Sequence, residues 1–151
     1  MKLVVDQDFP AALDRLWTTF SDPDYPRAKY VALGALDVEI RRFVATDTLI
    51  EVELSRRIPV DLQAIPAFAR KLLGAEQTMV HETRWRRVGP SEVVAELAIT
   101  AVGRPVRIGG TARLGAHGDG SRLHFEIDVT SDVPLVGGRS QPCSQARSRP
   151  R

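Results

Sequence analysis

One predicted strand carries the residues of this chain that are best suited to chemistry. Met79, His81, Thr83 and Trp85 alternate along it with charged residues, so the four share one face. A histidine on an apolar face can orient a polar group of a ligand or act as a general base. We therefore expect these residues to line a ligand cavity, with His81 as a weak catalytic candidate. The alternative is a core strand that contains one hydrogen-bonded histidine.

The sequence indicates neither a metal site nor a cofactor. His81-Glu82 begins the zinc-protease motif, but position 85 is Trp, so the required second histidine is absent. The glycines at 115, 118 and 120 lie in a predicted hairpin with no helix after it, so they do not form a dinucleotide-binding fingerprint.

The elements that must position these side chains are mostly strands. Leu36 begins a period-two alternation, and a three-residue loop at 46–48 would pair Ile40 with Leu54 and Val44 with Ile50. The strand of His81 forms a second hairpin after Gly89, with Thr83 opposite Leu97 and Trp85 opposite Ala95. These registers keep the apolar residues on one face.

A third hairpin follows, with Asp119-Gly120 as a type I′ turn. Small residues then lie opposite large ones, which leaves space above the sheet. The predicted pairs are Ala116 with Leu123, Leu114 with Phe125, Ala112 with Ile127, and Gly110 with Val129.

Two arginines lie on otherwise apolar strand faces. The first register places Arg42 beside Val52, and Arg56 continues the face of Leu54. Both could bind a ligand carboxylate or phosphate at the mouth of a cavity. We favour the simpler interpretation, in which both lie near strand ends and extend to water.

Helices are predicted at three places. Lys2–Asp8 reads as a first strand, and a helix begins near Pro10 with Leu13, Leu16, Trp17 and Phe20 at helical spacing. A second helix is predicted from Pro26 to Gly34, and a third, as an insert, over Ile65–Gly74. Because these cannot cover the apolar face of a six-stranded sheet, a long C-terminal helix is needed.

Composition indicates a globular protein, at 43% hydrophobic and 26% charged residues. Residues 139–151 contain four arginines and no acid, so the net charge of +2 leaves −2 for residues 1–138. This gives little support for nucleic-acid binding. The single cysteine, Cys143, excludes an internal disulfide, and no signal peptide or membrane span is recognisable, so we expect a cytoplasmic protein.

The order of elements resembles the START-like helix-grip superfamily, which includes polyketide cyclases and lipid-transfer domains. Three segments are similar to an actinobacterial family, the domain of unknown function numbered 2505: Phe20–Tyr25, Glu82–Trp85, and Gly118–Leu123 running on to Val133–Gly138. The resemblance covers roughly residues 1–138. It implies a cavity between a curved sheet and a long C-terminal helix, used for sterols, lipids or aromatic polyketides, and no catalytic residues.

The sequence departs from this family after Gly138. There the family continues into an amphipathic helix, whereas residues 139–151 contain Pro142, Pro150 and no apolar stripe. We predict a helix-grip domain over 1–138 and a disordered basic tail over 139–151, with the C-terminal helix lost through a frameshift or truncation. The apolar sheet face would then be unusually exposed and open to self-association.

The predicted fold is thus α+β, a curved antiparallel sheet of six or seven strands with two short N-terminal helices. The leading functional hypothesis is a carrier or sensor that binds a small hydrophobic or amphipathic ligand without transforming it. The alternatives are a cyclase- or hydrolase-like enzyme that uses His81 with Arg42 or Thr83, and a protein-interaction module. The predicted ligand-binding residues are Val38, Ile40, Arg42, Val52, Leu54, Met79, His81, Thr83, Trp85, Leu97, Leu114, Phe125 and Ile127.

Overall fold

A seven-stranded antiparallel sheet forms the body of the protein in the computed structural model, which describes residues 2–61, 63 and 75–131. The strand order is β1-β7-β6-β5-β4-β3-β2. The strands are β1 (Lys2–Phe9), β2 (Asp37–Ala45), β3 (Leu49–Pro59), β4 (Glu76–Gly89), β5 (Glu92–Ala101), β6 (Val106–His117) and β7 (Gly120–Ser131).

Two short helices connect β1 to β2, the strands at the two ends of this order. Helix α1 (Leu13–Phe20) begins three residues after Pro10 and buries Leu13, Leu16 and Trp17 against the sheet. We call the sheet face that α1 covers the inner face. The indole Nε1 of Trp17 donates a hydrogen bond to the Thr46 carbonyl at 3.3 Å, which ties α1 to the turn between β2 and β3.

Helix α2 (Tyr25–Ala32) ends in a Schellman motif. The Gly34 N–H donates to the Val31 carbonyl at 3.0 Å, and the Ala35 N–H donates to the Tyr30 carbonyl at 2.9 Å. Gly34 has a φ of 97°, and the chain then turns directly into β2. This ending places Tyr30 in the last turn of α2, next to the sheet.

The β2–β3 register agrees with the prediction in its first half only. Ile40 lies opposite Leu54, as predicted. The predicted pair of Val44 with Ile50 is wrong, because a β-bulge at Arg41 adds one residue to β2.

Because of this extra residue, the side chains that follow the bulge in β2 lie on the opposite faces from those predicted. Phe43 lies opposite Val52 on the inner face, and Arg42 lies on the outer face, contrary to the prediction. The Thr46 N–H donates to the Leu49 carbonyl at 2.7 Å, so a two-residue turn replaces the predicted three-residue loop.

The β4–β5 register is confirmed, with Thr83 opposite Leu97 and Trp85 opposite Ala95. The β6–β7 register is wrong by two residues, since Leu114 lies opposite Leu123. An even shift leaves every side chain on its predicted face. The other predicted pairs shift in the same way: Ala112 lies opposite Phe125, Gly110 opposite Ile127, and Ala116 opposite Ser121.

The cause of this shift is the position of the turn, which is at Gly118-Asp119. Gly118 has a φ of 59°, whereas no residue other than glycine has a positive φ in the described part of the chain. A type I′ turn needs positive φ at both central residues, so Asp119 excludes it; a type II′ turn needs it only at the first.

The seven antiparallel strands and two helices confirm the predicted α+β class. The predicted insert helix over Ile65–Gly74, the segment 132–138 and the basic tail over 139–151 lie outside the described residues. The predictions of a lost C-terminal helix and of a separate tail therefore stay predictions.

Candidate ligand-binding face

The inner face brings together all but one of the predicted ligand-binding residues. The registers align Val52, Thr83, Leu97 and Ile127 in one row across β3 to β7. The residues on this face are Val38, Ile40, Val52, Leu54, Met79, His81, Thr83, Trp85, Leu97, Leu114, Phe125 and Ile127. The exception is Arg42.

Burial divides the inner face into two regions. Near α1 the face is closely packed, and Ile50 and Leu114 are each 1% exposed. Further along the strands, side chains such as Leu97, Ile99 and Ile127 are only half-buried. The apolar surface therefore continues beyond the region that α1 covers.

His81 lies in this second region and is the best-defined polar group on the face. It is 4% exposed. Its Nε2 accepts a hydrogen bond from Nε of Arg56 at 2.9 Å, and its Nδ1 lies 3.4 Å from the hydroxyl of Tyr30. We call His81, Arg56 and Tyr30 the polar cluster.

The contacts of His81 determine its tautomer. An arginine Nε can only donate, so Nε2 of His81 must be the acceptor and must be unprotonated. The proton of the neutral ring then lies on Nδ1 and is donated to the Tyr30 oxygen. Burial, together with the charges of Arg56 and Lys29, lowers the pKa of His81 to about 4, so the ring is neutral near pH 7.

Arg56 and Tyr30 also contact each other within the polar cluster. The guanidinium carbon of Arg56 lies 4.6 Å from the centroid of the Tyr30 ring, in cation–π contact. Burial raises the pKa of the Tyr30 hydroxyl, which therefore keeps its proton near neutral pH. Nζ of Lys29 lies 5.2 Å from the same ring centroid.

The sequence predicts only part of this cluster. Arg56 was expected to extend to water, yet it is half-buried and bonded to His81. Tyr30 was missed. Helix α2 has no apolar stripe that would identify Tyr30 as an inward-facing residue. The sequence indicates only that Tyr30 lies near the end of the helix, shortly before Gly34.

Arg42 belongs to a charged network on the outer face. Its Nη2 lies 2.9 Å from Oε1 of Glu51, and Nη2 of Arg84 lies 2.8 Å from Oε2 of the same carboxylate. These two hydrogen-bonded cations lower the pKa of Glu51. The pair of Arg84 and Glu51 joins β4 to β3. The predicted position of Arg42 on the inner face is wrong.

No cluster of three or more His, Cys, Asp or Glu side chains within residues 2–61, 63 and 75–131 is arranged to hold a metal ion. In that same part of the chain, no helix is both long and apolar enough to span a membrane.

The family described as "Protein of unknown function (DUF2505)" matches residues 5–139. The chain belongs to this family. The resemblance seen in the sequence is thereby confirmed at the level of the family, and an actinobacterial origin stays a prediction. No curated protein sequence matches the chain.

Solved structures with the same fold are distant in sequence. Protein TTHA0849 from Thermus thermophilus is 13% identical, with a TM-score of 0.58 over 97% of this chain and 85% of that one. Ara h 8.0201 is 11% identical, with a TM-score of 0.53 over 97% and 89%. Mll3558 from Rhizobium loti is 15% identical, with a TM-score of 0.51 over 95% and 89%. These similarities confirm the predicted helix-grip fold.

Proposed function

We propose that the protein binds a small hydrophobic or amphipathic ligand on the inner face, in the region that α1 leaves uncovered, without transforming it. The observation that carries this proposal is the patch of half-buried apolar side chains beyond α1, which includes Leu97, Ile99 and Ile127. Ligand sites are mostly apolar surfaces with a few placed polar groups. The polar cluster supplies such groups at one side of this patch, where His81 lies opposite Ile99.

The state of His81 supports binding rather than catalysis. A general base works best when its pKa lies near the operating pH and its lone pair faces the substrate. The pKa of His81 is lowered to about 4, and the Nε2 lone pair accepts a hydrogen bond from Arg56. In this arrangement His81 orients its two neighbours.

Titration with the neutral fluorescent probe N-phenyl-naphthylamine tests the proposal. We expect saturable binding to the full chain, weakened about tenfold or more by Leu97→Asp, because this change puts a charge among apolar side chains. Val88→Asp is the matched control, since Val88 is 51% exposed and lies at a bulge in β4.

Thermal melts of both variants establish that they are folded. Native mass spectrometry of protein purified from its own host complements the titration by showing whether a ligand is retained. The proposal fails if the folded protein shows no saturable binding, or if the two variants bind the probe equally well. Probe uptake that disappears as the chain dimerises would instead favour self-association through this face.

A further inference from the structure

We infer that the ligand carries an acidic group, a carboxylate at the end of an apolar body, and that this group binds Arg56 and Tyr30 at the end of the inner face. The inference rests on the proposed function and specifies the class of ligand. It depends on the charge balance and on the hydrogen-bonding capacity of the polar cluster.

Among the residues that the structure describes, no acid balances the charge of Arg56. Elsewhere on the sheet arginines pair with carboxylates: Arg42 and Arg84 with Glu51, Arg57 with Glu76, Arg113 with Glu92, and Arg122 with Asp8. Within the described residues, no carboxylate lies within ion-pair distance of Arg56 or Lys29. The hydrogen-bond partner of Arg56 is the neutral ring of His81.

Two acidic residues lie near Arg56 without pairing with it. Asp37 and Glu39 border a groove of about 370 Å³ that Arg56 also borders. Glu39 instead lies 3.6 Å from Arg41 and accepts a hydrogen bond from Ser55 at 3.4 Å. A half-buried cation without a counter-ion is unfavourable, and an anionic ligand would remove this cost.

The hydrogen-bonding capacity of the cluster also fits an anion. Nε of Arg56 is used on His81, which leaves the two terminal nitrogens of the guanidinium as donors. The Tyr30 oxygen accepts the proton of His81 Nδ1, so its own proton is left to donate. The cluster therefore presents donors, and a carboxylate, which only accepts, is their complement.

His81 is a positioning residue in this arrangement. It contacts both Arg56 and Tyr30 and sets which of their hydrogen-bonding groups remain for a ligand. The ring of Tyr30 lies 5.0 Å from the His81 ring and under the Arg56 guanidinium, so the three side chains hold each other in place.

The experiment compares dodecanoic acid with dodecanol as competitors of bound N-phenyl-naphthylamine, at about pH 7.5, where the acid is ionised. The two competitors share the tail and differ in the carboxylate. We expect the acid to bind at least about tenfold more tightly than the alcohol, as a charge-assisted hydrogen bond in a half-buried site provides.

Variants assign this preference to the cluster. Arg56→Gln should lower the affinity for the acid to that for the alcohol and leave the affinity for the alcohol unchanged. Tyr30→Phe should have a smaller effect in the same direction. Arg56→Lys should restore part of the preference. Arg42→Gln is the matched control, because Arg42 is a strand arginine on the outer face.

The possible outcomes distinguish failure of the acidic-ligand inference from failure of the proposed function. Equal binding of acid and alcohol overturns the acidic ligand and leaves the apolar site intact. A preference for the acid that survives Arg56→Gln also overturns the inference, because the charge would then lie elsewhere. If neither competitor displaces the probe and the probe itself does not bind, the proposed function fails.

Discussion

Acidification should destabilise the fold through His81. The pKa of this residue is lowered from its ordinary value of 6.5 to about 4, because the ring is buried and lies beside Arg56 and Lys29. In the unfolded chain His81 takes up a proton as the pH falls through 6.5, whereas in the folded protein it does so only near pH 4. Between these values the unfolded state binds more protons, so the free energy of unfolding falls with the pH.

The magnitude follows from the pKa difference. The two pKa values differ by roughly 2.5, and each pKa unit corresponds to about 1.4 kcal/mol. The free energy of unfolding should therefore fall by on the order of 3 kcal/mol. The loss begins near pH 6.5, is complete near pH 4, and does not grow below that value. His81 is 4% exposed, so solvent screens this effect little.

Urea unfolding at a series of pH values between neutral and about pH 4 measures the effect. His81→Gln is the variant to compare, because an amide can accept from Arg56 and donate to Tyr30 while staying uncharged. Subtracting the curve of the variant removes the contribution of carboxylates such as Asp8 and Glu51, whose pKa values are lowered by their arginine partners.

His124 provides an internal control in an NMR titration. Its hydrogen bonds to Asp6 and Glu126 raise its pKa above the ordinary value, so it should titrate on the opposite side of 6.5 from His81. The stabilisation from His124 is present at low pH and is lost as the pH rises through the raised pKa. If His81 titrates near 6.5, or if the wild-type and His81→Gln curves are parallel, the reasoning about the polar cluster is refuted.

Two further predictions concern packing. Gly120→Ala should lower the free energy of unfolding by about 1–3 kcal/mol, because the added Cβ would overlap the Phe9 carbonyl oxygen. Gly109→Ala is the control and should be neutral or slightly stabilising in the same urea unfolding, because no atom lies within 4 Å of its Cβ. Equal effects of the two changes would contradict this packing. Leu54→Ala should cost about 2–5 kcal/mol, since Leu54 is 2% exposed, and a loss no larger than that of Leu36→Ala, at a site 49% exposed, would place Leu54 outside the core.

The faces of the strands could be predicted from the sequence because side chains alternate strictly along a strand. This is why Thr83 and Leu97 were paired correctly, and why an error of two residues in the β6–β7 hairpin moved no side chain to the wrong face. Alternation fails at a bulge. The bulge at Arg41 was missed, and Arg42 was therefore assigned to the wrong face.

Contacts between distant elements could not be predicted in the same way. The turn before β7 was placed from local preference alone, although Gly120 also packs against the carbonyl of Phe9 at the end of β1. The polar cluster joins α2, β3 and β4, and no spacing within one element reveals that Tyr30, Arg56 and His81 meet. The apolar inner face was predictable, and the grouping of its polar residues was not.

The pairing of β1 with β7 affects the order in which the chain can fold. The two strands are joined along their length, from Lys2 opposite Asp128 to Phe9 opposite Ser121, and Asp8 meets Arg122 across 114 positions of sequence. The hairpins from β2 to β7 form from neighbours and can assemble early, whereas β1 must wait until β7 has been synthesised. During translation β1 is therefore the last of the described strands to gain its partner, and Val4 and Val5 remain available to other chains until then.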